Sequence, residues 1–217
     1  MKTAKPDKCI IIAGGNPPAK SLVNRLIRMG YTTVVAADGG YHNAKKVGVT
    51  PHYVIGDFDS VGKIPEHDLK LMKMIRYRRQ SDTDVEKCIK FLASKGAREY
   101  VLLGGIGDRL DHSVANLGYL LKYSEVMPGT LFFGGSFVKV YENNIRLNTV
   151  KDEIISIYGF SDRVRVTSDG LKFPLRNSSL TFGIQESTSN RAAGKSVALK
   201  IKNGKIYVIR SSDSFFL

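Results

Sequence analysis

Five times in the first 112 residues a short apolar run breaks off in glycine, aspartate or both, and each time a segment with helical spacing follows. The runs cover 8–13, 33–37, 53–55, 75–78 and 99–103. Between them, Leu22, Val23, Leu26 and Ile27 form a helical stripe closed by Gly30, and 41–47 reads as a short helix closed by Gly48. Residues 66–74 give a further short helix. Thr83-Asp84-Val85-Glu86 has the pattern of a capping box, followed by Val85, Cys88, Ile89 and Leu92 at helical spacing and a stop at Gly96. Leu110, Val114, Leu117 and Leu121 mark one more amphipathic helix. Strands alternating with helices predict a parallel, doubly wound α/β sheet.

The pattern changes after Pro128-Gly129, where only strand and turn signals remain. Val197, Leu199 and Ile201 alternate with small or polar residues, then Asn203-Gly204 precedes Ile206 and Val208. Asn-Gly between alternating apolar residues predicts a hairpin. Residues 145–217 therefore read as an antiparallel β domain, and 130–144 either closes the first sheet or bridges the two. A chain of 217 residues accommodates this division, with domains expected at 1–140 and 141–217.

Composition excludes several classes. The apolar run at 9–13 is too short for a signal-peptide core, and no stretch has the length of a membrane span, so a cytoplasmic address is expected. Cys9 and Cys88 both fall in apolar patterns and read as buried thiols, and the four histidines lack metal-ligand spacing. The net charge of +13 fits either a solvated basic surface or a polyanionic partner, nucleic acid or nucleotide.

In an open parallel sheet the carboxyl ends of the strands share one edge, where ligands bind. Gly14-Gly15, Asp38-Gly39-Gly40, Gly56 to Ser60, Gln80 to Asp84 and Gly104 to His112 should thus converge on one crevice. Asp38, Asp57, Asp59, Asp82, Asp84, Asp108 and Asp111 all lie on that edge of a basic protein. Clustered carboxylates repel unless a cation sits among them, and Mg²⁺ held by carboxylates and substrate phosphates is the usual answer. Asp57 and Asp59 suit that role, with Phe58 between them turned to the core; Asp84 has a structural alternative, serving only the dipole of its helix. The glycines let backbone N–H groups approach phosphate oxygens. Arg109 can clamp phosphate or pair with Asp108 or Asp111, and His112 reads as structural. Neither a Walker sequence nor a G-x-G-x-x-G fingerprint is present. Phosphoryl-type transfer is the reaction class this combination predicts.

The blocks Asp38-Gly39-Gly40, Gly56-Asp57-Phe58-Asp59-Ser60, Thr83-Asp84 with Glu86-Lys87, and Gly105 to His112 with Ala115-Asn116-Leu117 resemble, in order and spacing, the motifs of the thiamine pyrophosphokinase family. Thr188-Ser189-Asn190 resembles the thiamine-contacting motif of that family's second domain. The resemblance covers nearly the whole chain. It implies a Rossmann-like nucleotide-binding domain followed by a β-sandwich-like domain, in a homodimer with thiamine bound where subunits meet. It also implies Mg²⁺ on Asp57, Asp59 and Asp84, with ATP handled by Gly14, Asp38, Gly39, Gly40, Arg109 and Asp111. Thiamine would contact Gln80, Thr83, Ser189 and Asn190, and catalysis would rest on Asp57, Asp59, Asp84, Arg109 and Asp111. The implied reaction is attack of the thiamine hydroxyl on the β-phosphorus of ATP, with AMP leaving. This chain differs from many relatives at Ser81, where they carry an acid and Asp82 follows one place on, and at Arg191-Ala192; it also has no Trp.

Two other readings compete. A pyrophosphokinase acting on another alcohol, such as a hydroxymethyl pterin, would share the first domain, but the second domain with Ser189-Asn190 argues against it. A nucleic-acid-binding α/β protein would use Arg76-Tyr77-Arg78-Arg79 and the lysines between 195 and 205, but the aspartates at the strand ends would repel a polyanion, so no nucleic-acid partner is expected.

Overall fold

The computed structural model describes residues 7–77 and 81–217, so Gln80 lies outside the described residues. The chain forms two compact units, Met1–Phe133 and Gly134–Leu217. No helix among the described residues is long and apolar enough to cross a membrane.

In the first unit, strands β1 (Lys8–Ile12), β2 (Thr33–Ala37), β3 (Tyr53–Gly56), β4 (Lys73–Arg76), β5 (Glu99–Leu103) and β6 (Gly129–Phe133) alternate with helices. The helices are α1 (Lys20–Arg28), α2 (Gly40–Lys46), α3 (Glu66–Leu69), α4 (Asp84–Ser94) and α5 (Leu110–Lys122). The strand order is β6-β5-β1-β2-β3-β4 and the pairings within it are parallel. The chain steps from β1 outward to β4 and then returns to the other flank of β1. That reversal opens a crevice at the carboxyl ends of β1 and β5. Ile10, Ile11, Ile12, Val35, Leu102 and Leu103 are fully buried, as central strands covered on both faces require. Cys9 and Cys88 are free and buried, and burial pushes the Cys9 thiol up to about 12.

Three local expectations change in this unit. The helix expected over 66–74 ends at Leu69, because Lys73–Arg76 pairs with Tyr53–Gly56 and satisfies the backbone of β3. The Thr83 hydroxyl accepts the Glu86 N–H at 3.3 Å, which is half of a capping box. The Glu86 carboxylate turns instead to Lys122 Nζ at 2.6 Å and the Tyr123 hydroxyl at 2.7 Å, joining α4 to α5. On α5 the expected apolar stripe is not the buried face: Leu110 and Val114 are exposed, whereas Ser113, Asn116 and Leu120 are buried. The two polar residues are inside because they hold loop backbone, described below.

The second unit has β7 (Ser136–Tyr141), β8 (Ile145–Asn148), β9 (Ile154–Gly159), β10 (Arg165–Asp169), β11 (Ser187–Arg191), β12 (Ser196–Lys202) and β13 (Ile206–Ser211), then a 3₁₀ turn at Ser212–Phe216. One antiparallel layer runs β11-β9-β13-β7 and the other β10-β12-β8. Ile155 and Ile157 of β9, Val197, Leu199 and Ile201 of β12, and Ile206 and Val208 of β13 share one core, the pattern of a sandwich. The region 130–144 divides: Thr130 and Leu131 pair with β5, while β7 pairs with β13. The boundary expected at 140/141 falls at the far end of β7.

Asn203-Gly204 does not make the expected hairpin. β12 and β13 lie in different layers, and the turn carries the chain across the core. Gly204 sits at φ 155°, outside the roughly 60–90° that a tight type I′ turn needs at that place. Crossing over lets the apolar residues of both strands face each other through the core.

At the base of the crevice, a Cβ on Gly40 would lie 2.0 Å from the Ile12 carbonyl oxygen. Gly40→Ala must therefore push the start of α2 off β1. We expect a loss of roughly 1–3 kcal/mol in urea denaturation, the usual size of an overpacking penalty; an unchanged midpoint would show that the backbones are free to separate.

Candidate active site

The loops after β1 and β5 are joined backbone to backbone. Ala13 N–H donates to Leu103 O at 2.8 Å, Gly15 N–H to Gly104 O at 2.9 Å and Asn16 N–H to Ile106 O at 2.8 Å. Two buried amides hold the outer carbonyls. Asn43 Nδ2 of α2 donates to Ala13 O and Gly15 O, each at 2.8 Å, and Asn116 Nδ2 of α5 donates to Gly105 O at 2.7 Å. Ser113 Oγ accepts from Gly107 N–H and donates to Arg109 O. These braces frame a cleft of about 570 Å³ lined from all five expected segments, including Gly14, Asp38, Gly39, Thr83, Asp84 and Arg109. That volume lies within the roughly 300–1,000 Å³ usual for small-molecule sites. Asn43 was not among the expected site residues, and Asn116 was noted only within a motif. The signal was a polar residue on the inward face of each helix.

Asp38 directly follows β2, with φ 38°, and is buried. Gly56 lets it lie there, since a Cβ at Gly56 would come within 2.8 Å of the Asp38 Cβ. Asp38 Oδ2 accepts the Ser60 N–H at 3.0 Å, but Oδ1 is buried without a hydrogen-bond partner. Burial pushes this carboxyl's pKa up, opposed by the Ser60 N–H. One oxygen each from Asp38, Asp57 and Asp59 lie within 4.8 Å of one another. Between the last two, Phe58 has φ 69° and packs against Ala36, Val54, Val61 and Met72. The unusual backbone at Phe58 thus turns the ring inward and leaves both carboxylates by Asp38. The Ser60 hydroxyl, 2.8 Å from Asp59 Oδ1, leads the hydrogen bonds that lower the Asp59 pKa.

Asp84 does not belong to this carboxylate group among the described residues. It begins α4, and its Oδ1 lies 2.7 Å from Lys87 Nζ. Lys87 is only 6% exposed. Burial pulls its pKa down, but the hydrogen bond it donates to Asp84 and the fields of Asp84, Asp57 and Asp38 outweigh that and leave it raised. Lys87 is therefore charged at neutral pH. Asp82 is held on the flank of α4, with Oδ2 2.8 Å from Lys90 Nζ.

Arg109 and Asp111 form a bidentate pair, Nε–Oδ1 2.9 Å and Nη2–Oδ2 2.6 Å. Both side chains are well exposed. The guanidinium hydrogen bond holds the Asp111 carboxyl well below the usual carboxylate range. Asp111 thus orients Arg109 at the cleft wall, and the pairing that competed with phosphate binding in the sequence is present in the structure.

In the second unit Ser189 is exposed at φ 55°, at a register shift in β11, and its N–H donates to Ser156 Oγ at 3.0 Å. Asn190 differs from the contact expected of it, because it is buried and its amide is used. Nδ2 donates to Phe173 O at 2.7 Å and Ser187 Oγ at 3.0 Å, while Oδ1 accepts from Phe173 N–H and Arg191 N–H. Thr83 Oγ1 is likewise engaged, by Glu86 N–H and the Tyr119 hydroxyl.

Comparison with known proteins places both units. Residues 27–129 match the family model described as "Thiamin pyrophosphokinase, catalytic domain", and residues 142–206 match "Thiamin pyrophosphokinase, vitamin B1 binding domain". The chain is 30% identical over 195 residues to thiamin pyrophosphokinase 1 of Caenorhabditis elegans, covering 81% of this chain and 77% of that protein. It is 26% identical to the thiamine pyrophosphokinase of Bacillus subtilis over 95% of this chain and all of that protein. The crystal structure of the thiamin pyrophosphokinase of Geobacillus thermodenitrificans superposes with a TM-score of 0.78 at 26% identity, covering 97% of this chain and 100% of the other. With both domain models matched in order and a relative at this identity, the chain belongs to the thiamine pyrophosphokinase family.

Proposed function

We propose that this chain is a thiamine pyrophosphokinase, transferring the terminal diphosphate of ATP to the hydroxyl of thiamine. The observation that carries the reading is the coincidence of motif and geometry. The segment matched by the family's catalytic model contains four of the five acid and glycine loops that converge on one cleft, all but Gly14-Gly15, and the vitamin B1 binding model falls in the second unit. In this reading residues 1–140 serve ATP and 141–217 serve thiamine, in a homodimer with thiamine bound where subunits meet.

The residues present suit a hard divalent cation. Asp38, Asp57 and Asp59 offer only oxygen donors, and Asp38 Oδ1 is a buried acceptor with nothing to accept from. Mg²⁺ on Asp57, Asp59 and Asp38, with Asp84 close by, is the assignment we propose. When bound, it would neutralise and polarise phosphate oxygens. Arg109, oriented by Asp111, would hold a phosphate oxygen pair, and the start of α5 adds the dipole of its backbone. Gly14 and Gly39 leave the cleft wall without side chains where the nucleotide would lie, and Gly40 lets the start of α2 sit close against β1 beneath them. The thiamine hydroxyl oxygen forms a bond to the β-phosphorus while the bond from that phosphorus to the α–β bridging oxygen breaks. AMP leaves with that oxygen, and the hydroxyl proton is lost. Ser189, presented by the irregular β11, would contact thiamine directly. Asn190 would act by holding the 173 segment, and Thr83 by capping α4; Gln80 is kept as a thiamine contact from the family motif alone.

Product analysis of the purified protein with Mg²⁺, ATP and thiamine should give thiamine diphosphate and AMP in equal amounts. AMP without thiamine diphosphate would keep the chemistry and move the acceptor to another alcohol; no AMP from folded protein would end the enzyme reading. Asp57→Asn should lower kcat by roughly 10²-fold or more, the scale of removing one group that stabilises charge in a transition state, with circular dichroism unchanged. Full activity in that variant would remove Asp57 from the metal set. Ser189→Ala should raise the KM for thiamine more than that for ATP. Asn190→Ala should instead lower stability by about 1–3 kcal/mol, the cost of unsatisfied buried partners, read by urea denaturation; a pure KM effect would make Asn190 a contact after all.

A further inference from the structure

Lys87 has no part in the reaction as derived above, yet it is a buried cation paired with Asp84, which lines the cleft together with Asp38. A buried ammonium costs several kcal/mol unless it is paired. Lys87 is paired with Asp84 at 2.7 Å and also feels Asp57 and Asp38. It therefore already neutralises part of the negative field that a divalent cation would use. A fixed charge and a mobile one that draw on the same carboxylates oppose each other. The same lysine would be relieved, not opposed, when a polyphosphate brings further negative charge into the cleft.

We propose that Lys87 is a resident counter-ion that, by holding Asp84 beside the acid cluster, weakens binding of a bare divalent cation and so makes the cation enter together with the nucleotide's phosphates. Lys87 is in this sense a positioning residue, acting through Asp84 and through its charge. The proposal rests on the reading of the cluster as a cation site under Proposed function, but not on thiamine being the acceptor. A purely structural i,i+3 ion pair would affect folding alone. A resident counter-ion sets the coupling between metal and nucleotide, and such coupling is reciprocal.

The test is Mn²⁺ binding to the full chain, followed by electron paramagnetic resonance. Titrations are run without nucleotide and with α,β-methylene-ATP, whose α–β bridge does not break. Wild-type protein should bind bare Mn²⁺ weakly and gain affinity when the analogue is added. Lys87→Met should bind bare Mn²⁺ on the order of tenfold more tightly, the lower end of what one nearby charge does to a charged site, and gain correspondingly less from the analogue. Lys87→Arg, which keeps the charge, should follow wild type. Unchanged or weaker bare-Mn²⁺ binding in Lys87→Met overturns the proposal, as does an absence of Mn²⁺ binding to wild type even with the analogue. If Lys87→Met is destabilised without metal, its melting temperature against Mn²⁺ decides: a larger rise than in wild type supports the counter-ion role, and a rise no larger than in wild type refutes it. Wild-type protein that shows the coupling but makes no thiamine diphosphate would sink the acceptor assignment while leaving this inference standing.

Discussion

The repulsion among carboxylates gathered at one sheet edge is the constraint around which the first unit is built. Two like charges about 4 Å apart at an effective dielectric near 20 repel by about 4 kcal/mol, so a fold that brings Asp38, Asp57, Asp59 and Asp84 to one cleft has to offset that cost. It does so differently at three of them. Burial raises the Asp38 pKa and favours its neutral form. Hydrogen bonds from Ser60 lower that of Asp59. Asp84 has the buried ammonium of Lys87. Asp38 Oδ1 is nevertheless left buried without a hydrogen-bond partner beside Asp57 and Asp59, and that is where an added cation has most to gain.

Holding this arrangement requires backbone held as firmly as side chain. The positive φ values at Asp38 and Phe58 are conformations that L-residues adopt rarely, and they persist because neighbouring groups fix them. Phe58 is fixed by apolar packing, Asp38 by Ser60 and by its close approach to Gly56. The loops after β1 and β5 are fixed in turn by Asn43 and Asn116, whose amides reach carbonyls that no strand partner satisfies. Structural polar residues and chemical ones therefore share the cleft, and only their hydrogen bonds separate the two kinds.

The second unit follows a different logic. Its core is apolar and its one conspicuous ion pair, Arg210 with Glu153, is deeply buried and bidentate. The irregularity is concentrated in β11, where a register shift exposes Ser189 and buries Asn190. A family motif read along the chain treats those adjacent residues alike, whereas their environments assign one to the surface and the other to a loop brace. The same distinction separates Asp59, in the carboxylate group, from Asp84, in an ion pair.

Much of this was legible in the sequence. Alternation of apolar runs and helical stripes is a local property, so the parallel α/β order and the β-only second half followed from 3.6- and 2-residue periods. The glycines and aspartates after each run located the cleft, because strand ends in a parallel sheet must share an edge. Hydrophobic period alone misplaced the inward face of α5, since Ser113 and Asn116 are buried by what they hold and not by what they are. Asn203-Gly204 correctly marked a turn, but whether two strands joined by a turn pair or cross a core depends on partners far away in the chain, here β7, β9, β8 and β10. Which carboxylates stand together, and that Lys87 is buried against Asp84, was likewise beyond any local pattern. Charge interactions depend on distance and on the surrounding dielectric, and only the tertiary structure supplies both.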